Sequence, residues 1–265
     1  GFLGCALIMG YIPAWADIRI VPKERTPEPN NVHLTLVYPH SGEMKASSEV
    51  LFELRLEGYP IGTDTEYQPR SQELHSNPDG QSIRILVDND FCIDMDEALI
   101  DALDDNAADY FEQRITGTLR CSLDEGEHIL QAFPIRSYNE SLKGTKSYVA
   151  SIFYIKNKSN NRNYDLSKPY LIYNQPHGTF VYSDTRPVLL DFLIKNCQLS
   201  SDGYKIRFSI DGKVERVLTA WVPYYIYGLP KGSHNIRLEL LDANDKLVPG
   251  AFSDIVKTII VSEKV

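Results

Sequence analysis

The sequence predicts an all-β protein built from two tandem sandwich domains, and three observations carry that expectation. Short strand-like motifs recur twice in the same order along the chain. Within them apolar residues alternate with period two, as half-buried strands require. Aromatic residues that favour sheets are abundant, with 16 Tyr and 10 Phe in 265 residues. A chain of this length has room for two domains, each burying its own core.

The repeat is legible in five places. Pro39-His40-Ser41-Gly42 returns as Pro176-His177-Gly178, and Val50 to Leu54 returns as Val188 to Phe192. Ile83-Arg84-Ile85-Leu86-Val87-Asp88-Asn89 matches Ile206-Arg207-Phe208-Ser209-Ile210-Asp211-Gly212. Leu123 to His128 matches Leu229 to His234, and Ile152 to Ile155 matches Thr258 to Val261. In the central pair, Ile83, Ile85 and Val87 alternate with Arg84 and Leu86, while Ile206, Phe208 and Ile210 alternate with Arg207 and Ser209. Closely spaced strands separated by turn signals such as Asp211-Gly212 describe a sandwich. The boundaries follow: a first domain over 32–156, a polar Asn-rich linker over 157–168 and a second domain over 169–263.

The first copy is longer in two places. Residues 59–80, with Pro60, Pro69 and Pro78, read as a long loop. Residues 95–114 read as a helical insertion: Asp94 is a capping residue, Glu97 follows at the third helical position, and Met95, Leu99, Ala102, Leu103, Tyr110 and Phe111 line one side.

Leu123 to His128 and Leu229 to His234 fit a Leu-x-x-Gly-x-aromatic turn, with His where Tyr is common. Through this turn the chain resembles the immunoglobulin-like modules of bacterial exported and surface proteins. More narrowly, over most of residues 32–261, it resembles an uncharacterised exported bacterial family with two such domains. The resemblance implies two immunoglobulin-like sandwiches and an extracytoplasmic address, and brings no known activity. It also implies a structural corner at His128 and His234, each ring bonding back to upstream backbone as the aromatic does in related turns.

The amino-terminal stretch agrees with export. Residues 1–16 are almost wholly apolar and give way to Asp17, Arg19, Lys23, Glu24 and Arg25, and Ala14-Trp15-Ala16 supplies a small-x-small cleavage pattern. This reads as the remainder of a signal peptide, followed by an extended leader over 17–31. Two rivals stay open, a lipidated Cys5 and a membrane anchor, although the apolar stretch falls short of the roughly 20 residues a span needs. Membrane association is expected only through this segment, if it is uncleaved or lipidated, and the address is periplasmic, cell-surface or secreted. There an oxidising medium allows Cys92 and Cys121, both in the first domain, to pair, which leaves Cys197 over. A net charge of −9 without a Lys/Arg cluster argues against nucleic acid as partner.

Few constellations suggest chemistry. There is no His-Glu-x-x-His, Gly-x-Ser-x-Gly, phosphate-cradling Gly-rich loop or Cys-x-x-Cys, so no catalytic residue and no cofactor is assigned. The single His that each copy presents in the Leu-x-x-Gly-x-aromatic turn, without a companion ligand or nucleophile, neither hydrolyses nor holds a metal. Asp88, Asp90, Asp94 and Asp96 form a weak calcium candidate that fails the EF-hand pattern and is equally a solvated turn plus helix cap. Trp221, Tyr224, Tyr225 and Tyr227 are the candidate ligand-binding residues: Pro223 marks an edge strand, on which rings can stack on a sugar or pack on a peptide. The bland alternative is that one set fills the core and the other is covered by the linker or the other domain. The leading functional expectation is an extracytoplasmic binding or scaffold module facing an envelope glycan or a protein. Its rivals are an envelope polysaccharide hydrolase using carboxylates near 88–97 and a purely structural spacer.

Overall fold

A computed structural model describes residues 14–92, 99–107 and 110–263. A short 3-10 turn, Ala14–Asp17, precedes the first strand, β1 (Arg19–Pro22). The first sandwich follows with β2 (His33–Tyr38), β3 (Met44–Lys45), β4 (Leu51–Glu57), β5 (Ser82–Val87), β6 (Asp90–Phe91), β7 (Leu99–Ala107), β8 (Tyr110–Thr118), β9 (Gly126–Ile135) and β10 (Val149–Ile155). The second holds β11 (Tyr170–Gln175), β12 (Gly178–Val181), β13 (Val188–Lys195), β14 (Lys205–Ile210), β15 (Val214–Leu218), β16 (Tyr224–Tyr227), β17 (Gly232–Leu241) and β18 (Asp254–Ser262). Among the described residues no helix is long and apolar enough to cross a membrane.

Each sandwich has a four-stranded and a five-stranded sheet in matching order. In the first they run β2-β4-β8-β7 and β3-β10-β9-β5-β6, and in the second β11-β13-β16-β1 and β12-β18-β17-β14-β15. In both copies the short strand after the Pro-His motif pairs parallel with the last strand, β3 with β10 and β12 with β18. These are two tandem immunoglobulin-like sandwiches. Apolar residues buried between the sheets fill each one: Phe52, Leu54, Ile115, Leu130 and Phe153 in the first, Leu171, Phe192, Ile206, Phe208 and Leu238 in the second.

The structure corrects the helical insertion. Residues 99–107 and 110–118 are the antiparallel hairpin β7–β8, and β8 pairs along β4 from Leu51↔Thr118 to Glu57↔Glu112. The helix-like spacing loses because β4, buried through Phe52, Leu54 and Leu56, needs a partner for its second row of backbone groups. Residues 93–98, which include the start of that expected helix, lie outside the described residues.

The second copy has no counterpart to that insertion, since only residues 219–223 separate β15 from β16. Its sheet is completed from the far end of the chain. β1 takes the place beside β16 that β7 holds beside β8, with register Arg19↔Tyr227 to Pro22↔Tyr224. Ile18 is buried in the second core, and the Trp15 indole meets the His234 ring edge-on at 5.8 Å. Residues 23–28 then run along the boundary between the sandwiches. Thr26 bonds through its amide to Glu140 Oε1 (2.9 Å) and through its hydroxyl to Glu140 Oε2 (2.5 Å), and Lys143 N donates to Glu28 Oε1 (2.7 Å). The segment read as a leader is thus part of the fold.

The sandwiches meet face to face, and strand alternation explains how. In β9, Leu130 and Ala132 face the first core while Phe133 and Ile135 face the other sandwich; in β11, Leu171 and Tyr173 face the second core while Tyr170 and Ile172 face back. Leu86 and Leu193 complete this apolar contact. Beside it lies a buried ion pair, Lys143 Nζ to Asp191 Oδ1 at 2.6 Å, with side chains 1% and 0% exposed. Asp191 also accepts from Asn174 Nδ2 (2.7 Å) and Ser141 N (3.0 Å). A second buried pair joins Arg70 Nη1 to Glu140 Oε2 at 2.7 Å.

Candidate functional site

The aromatic candidates are not an exposed edge. β16 lies between β13 and β1, because Pro22 to Arg19 occupy the side that Pro223 leaves open. Tyr224 points into the core and donates to Ala220 O (2.7 Å); Tyr225 is 0% exposed and donates to Glu73 Oε2 (2.7 Å). Tyr227 and Trp221 are half-buried, under the guanidinium groups of Arg19 (4.8 Å) and Arg25 (4.6 Å), and Trp221 Nε1 donates to Phe192 O. These rings are covered by the leader and by the first sandwich.

The calcium candidate is likewise spent on protein contacts. Asp90 is ion-paired with Lys257 across the domain boundary, and Asp88 is held by the groups described next; Asp94 and Asp96 lie outside the described residues. Among the described residues no group of three or more His, Cys, Asp or Glu side chains is placed to hold a metal ion. Cys92 and Cys121 are joined by a disulfide, and Cys197 is free and half-buried, its thiol pushed up to about 11 by burial.

Each histidine corner contains an aspartate that motif reading overlooks. His128 places Nδ1 2.7 Å from Asp88 Oδ2 and Nε2 2.8 Å from Asp124 O. His234 repeats this with Asp211 Oδ2 (2.7 Å) and Pro230 O (2.7 Å). Asp88 and Asp211 share a positive φ of 52°, and each accepts the amide following its histidine, Ile129 N or Asn235 N. A carbonyl only accepts, so Nε2 of each ring carries a proton; in His128 the carboxylate opposite Nδ1 then favours a second. For His128, burial pulls the pKa down, but the bonds to Asp88 and Asp124 outweigh it and the net shift is upward. On the proposal that this imidazolium holds the corner, its contribution is complete below about pH 6.5 and fades as pH rises through the folded-state value. The midpoint of thermal unfolding should therefore fall as pH rises above about 6.5, with this group supplying a slope of at most about 1.4 kcal/mol per pH unit. His128→Gln should flatten that part of the profile; an unchanged profile would remove His128 from the account.

In the first copy the corner also fastens the linker. Tyr164 donates its hydroxyl to Asp88 Oδ1 (2.9 Å), and Arg162 pairs with Asp124 (2.7 Å) while donating to Glu127 O (2.6 Å). Glu127, itself buried, accepts Arg162 N (3.2 Å), and its own amide donates to Asn161 Oδ1 (2.9 Å). Gly126 has a φ of 103°, and a Cβ there would collide with the Asn161 side chain. Only glycine admits the linker this closely.

The fastened linker roofs a cleft of about 640 Å³. Tyr154 lines it half-buried, its hydroxyl bonded to Asn160 Oδ1 (3.0 Å), and so does Tyr164, which stacks on Phe252 at 4.9 Å. Asn163, Asp165 and Lys168 supply exposed polar groups to the same lining. Hydrogen bonds from the Ser167 hydroxyl and amide hold the Asp165 carboxyl below its usual range. On the neighbouring cleft, the Arg162 hydrogen bond does the same to Asp124. A glycosidase needs the opposite in its acid, a carboxyl held protonated near neutral pH.

No family model and no curated protein matches the sequence. Among solved structures, the chain is similar to fibronectin(III)-like modules of Clostridium thermocellum CbhA, with TM-score 0.29 and 13% identity over 86% of this chain and 94% of that one. It is also similar to the D00-D0 domain of Intimin, with TM-score 0.25 and 10% identity over 86% and 98%. A third is the SGBP-B protein of a Bacteroides ovatus mixed-linkage glucan utilization locus, in complex with a mixed-linkage heptasaccharide, with TM-score 0.20 and 12% identity over 93% and 47%. At these scores the functional reading rests on the chain's own geometry.

Proposed function

We propose that this chain is an extracytoplasmic binding module that acts without chemistry and holds a glycan in the cleft under the linker. The observation that carries this is one cleft lined by Tyr154 and the Tyr164–Phe252 stack together with the exposed amide, carboxylate and ammonium groups of Asn163, Asp165 and Lys168. Sugars present apolar C–H faces and a rim of hydroxyls, so aromatic walls with polar groups between them suit them. The disulfide supports an oxidising compartment. The ion-paired state of Asp88, Asp90 and Asp124 supports binding over hydrolysis.

Glycan-array screening followed by calorimetry on the best oligosaccharide tests the reading. The expected result is saturable binding, weakened at least tenfold by Tyr154→Ala and by Asn163→Gly, the latter keeping the positive φ of 53° at that position, with the thermal midpoint of each variant measured alongside. Release of new reducing ends would return the hydrolase reading, and affinity indifferent to both substitutions would move the site elsewhere.

A further inference from the structure

Another cleft, of about 630 Å³, is lined from both sandwiches and shares no lining residue with the linker cleft. Its lining contains Arg84, Arg186, His75 and His177 and no carboxylate. In a chain carrying a net charge of −9, a cleft of that composition is an anomaly.

Arg84 is its most telling member. β5 is a central strand whose alternation turns Ile83 and Ile85 inward, so Arg84 is delivered to the face that meets the other sandwich. Its Nε donates to Asn174 Oδ1 (3.2 Å) and its Nη2 to Asn139 Oδ1 (3.3 Å), and no carboxylate of the described residues forms an ion pair with it. The guanidinium lies 4.6 Å from the centre of the Phe91 ring, against which His177 stacks at 3.6 Å. Burial lowers the Arg84 pKa to about 10, offset only in part by Asp191. Burial, Arg84 and Lys257 together lower His177 to about 4, so its ring is neutral near pH 7. A half-buried guanidinium hydrogen-bonded only to amide oxygens, with a ring face beside it and Asp191 acting on it without a hydrogen bond, gains from an anion that completes it. Arg186 stands exposed at the rim, and Phe180, Val188 and Leu189 supply an apolar wall beside it.

We propose that this cleft binds a carboxylate carried on an apolar group, such as the free C-terminus of a peptide ending in an aliphatic residue. The guanidinium of Arg84, oriented by Asn139 and Asn174, retains unused N–H donors for the planar carboxylate, which suits a two-point contact. Arg186 closes over the same charge, and the aliphatic side chain packs on Phe180, Val188 and Leu189. The site is separate from the linker cleft and does not depend on glycan binding there.

Calorimetry on the full chain tests it with an N-acetylated tripeptide ending in leucine, the same tripeptide as its C-terminal amide, hexanoate and inorganic phosphate. The free acid is expected to bind and the amide to bind at least tenfold more weakly. Hexanoate binding as tightly as the peptide keeps the site and assigns it to free apolar acids, whereas displacement of the peptide by phosphate overturns the carboxylate assignment. Arg186→Gln, at an exposed position, is expected to weaken the acid about tenfold with the thermal midpoint unchanged, and Arg84→Lys to weaken it further. Tyr154→Ala is expected to leave it untouched, so failure here is distinct from failure of the glycan reading. Equal binding of acid and amide, no binding of the acid, or indifference to Arg186→Gln overturns the proposal.

Discussion

A chain that begins at Lys23, without β1, is expected to lose its second sandwich while keeping the first. The truncation removes Ile18 from the second core and strips β16 of the partner that satisfies one side of its backbone from Tyr224 to Tyr227. Burying one such side chain is worth about 1.5–3 kcal/mol, and each ladder hydrogen bond adds about 1 kcal/mol net. The total, on the order of 5 kcal/mol, is comparable with the whole stability of an ordinary domain. Circular dichroism during denaturant unfolding should show an early transition absent from the intact chain, and a synthetic peptide spanning residues 15–28 should restore part of the loss. Removing only residues 1–16, as cleavage after Ala16 would, takes away Trp15 but leaves Ile18 and β1, so that shorter truncation should cost far less. Equal stability of the chain starting at Lys23 and the intact chain would show that β1 is not structural.

The second large effect belongs to the buried pair at the domain boundary. Lys143→Met removes the ion-pair partner of the wholly buried Asp191 and leaves it hydrogen bonds from Asn174 and Ser141 alone, which is expected to cost about 3–5 kcal/mol. Adding Asp191→Asn removes the orphaned charge while keeping an acceptor for those two donors, so the double variant should be more stable than Lys143→Met alone. Urea unfolding followed by the fluorescence of Trp221, which packs at this boundary, reads both. Simple additivity of the two substitutions would mean that the pair contributes no coupling.

The architecture was legible wherever alternation and repetition were local. Ile83 to Asn89 and Ile206 to Gly212 fall on β5 and β14 with their turns, and the two His motifs open β9 and β17. The aspartates that complete the His corners were within reach, since Asp88 and Asp211 occupy the same place in matched motifs. The β7–β8 hairpin was not legible: its apolar residues also satisfy a helical spacing, and only the unsatisfied side of β4 decides between them. Nor was the placement of β1, because pairing across about 200 residues leaves no periodicity to read. Pro223 was a sound edge signal overridden by that distant strand. The linker cleft stayed hidden because Asn163, Tyr164 and Asp165 sit in a polar run without period, and their positions are set by Asp88 and Glu127.

Nuclear magnetic resonance titration of the isotopically labelled chain with the oligosaccharide selected by array tests the central claim most directly. The account predicts progressive shifts confined to the backbone and rings around Tyr154, Asn163, Tyr164 and Phe252, with the sugar's own spectrum unchanged over days. Shifts centred on Trp221 and Tyr227 instead, or new anomeric signals growing with time, would contradict it.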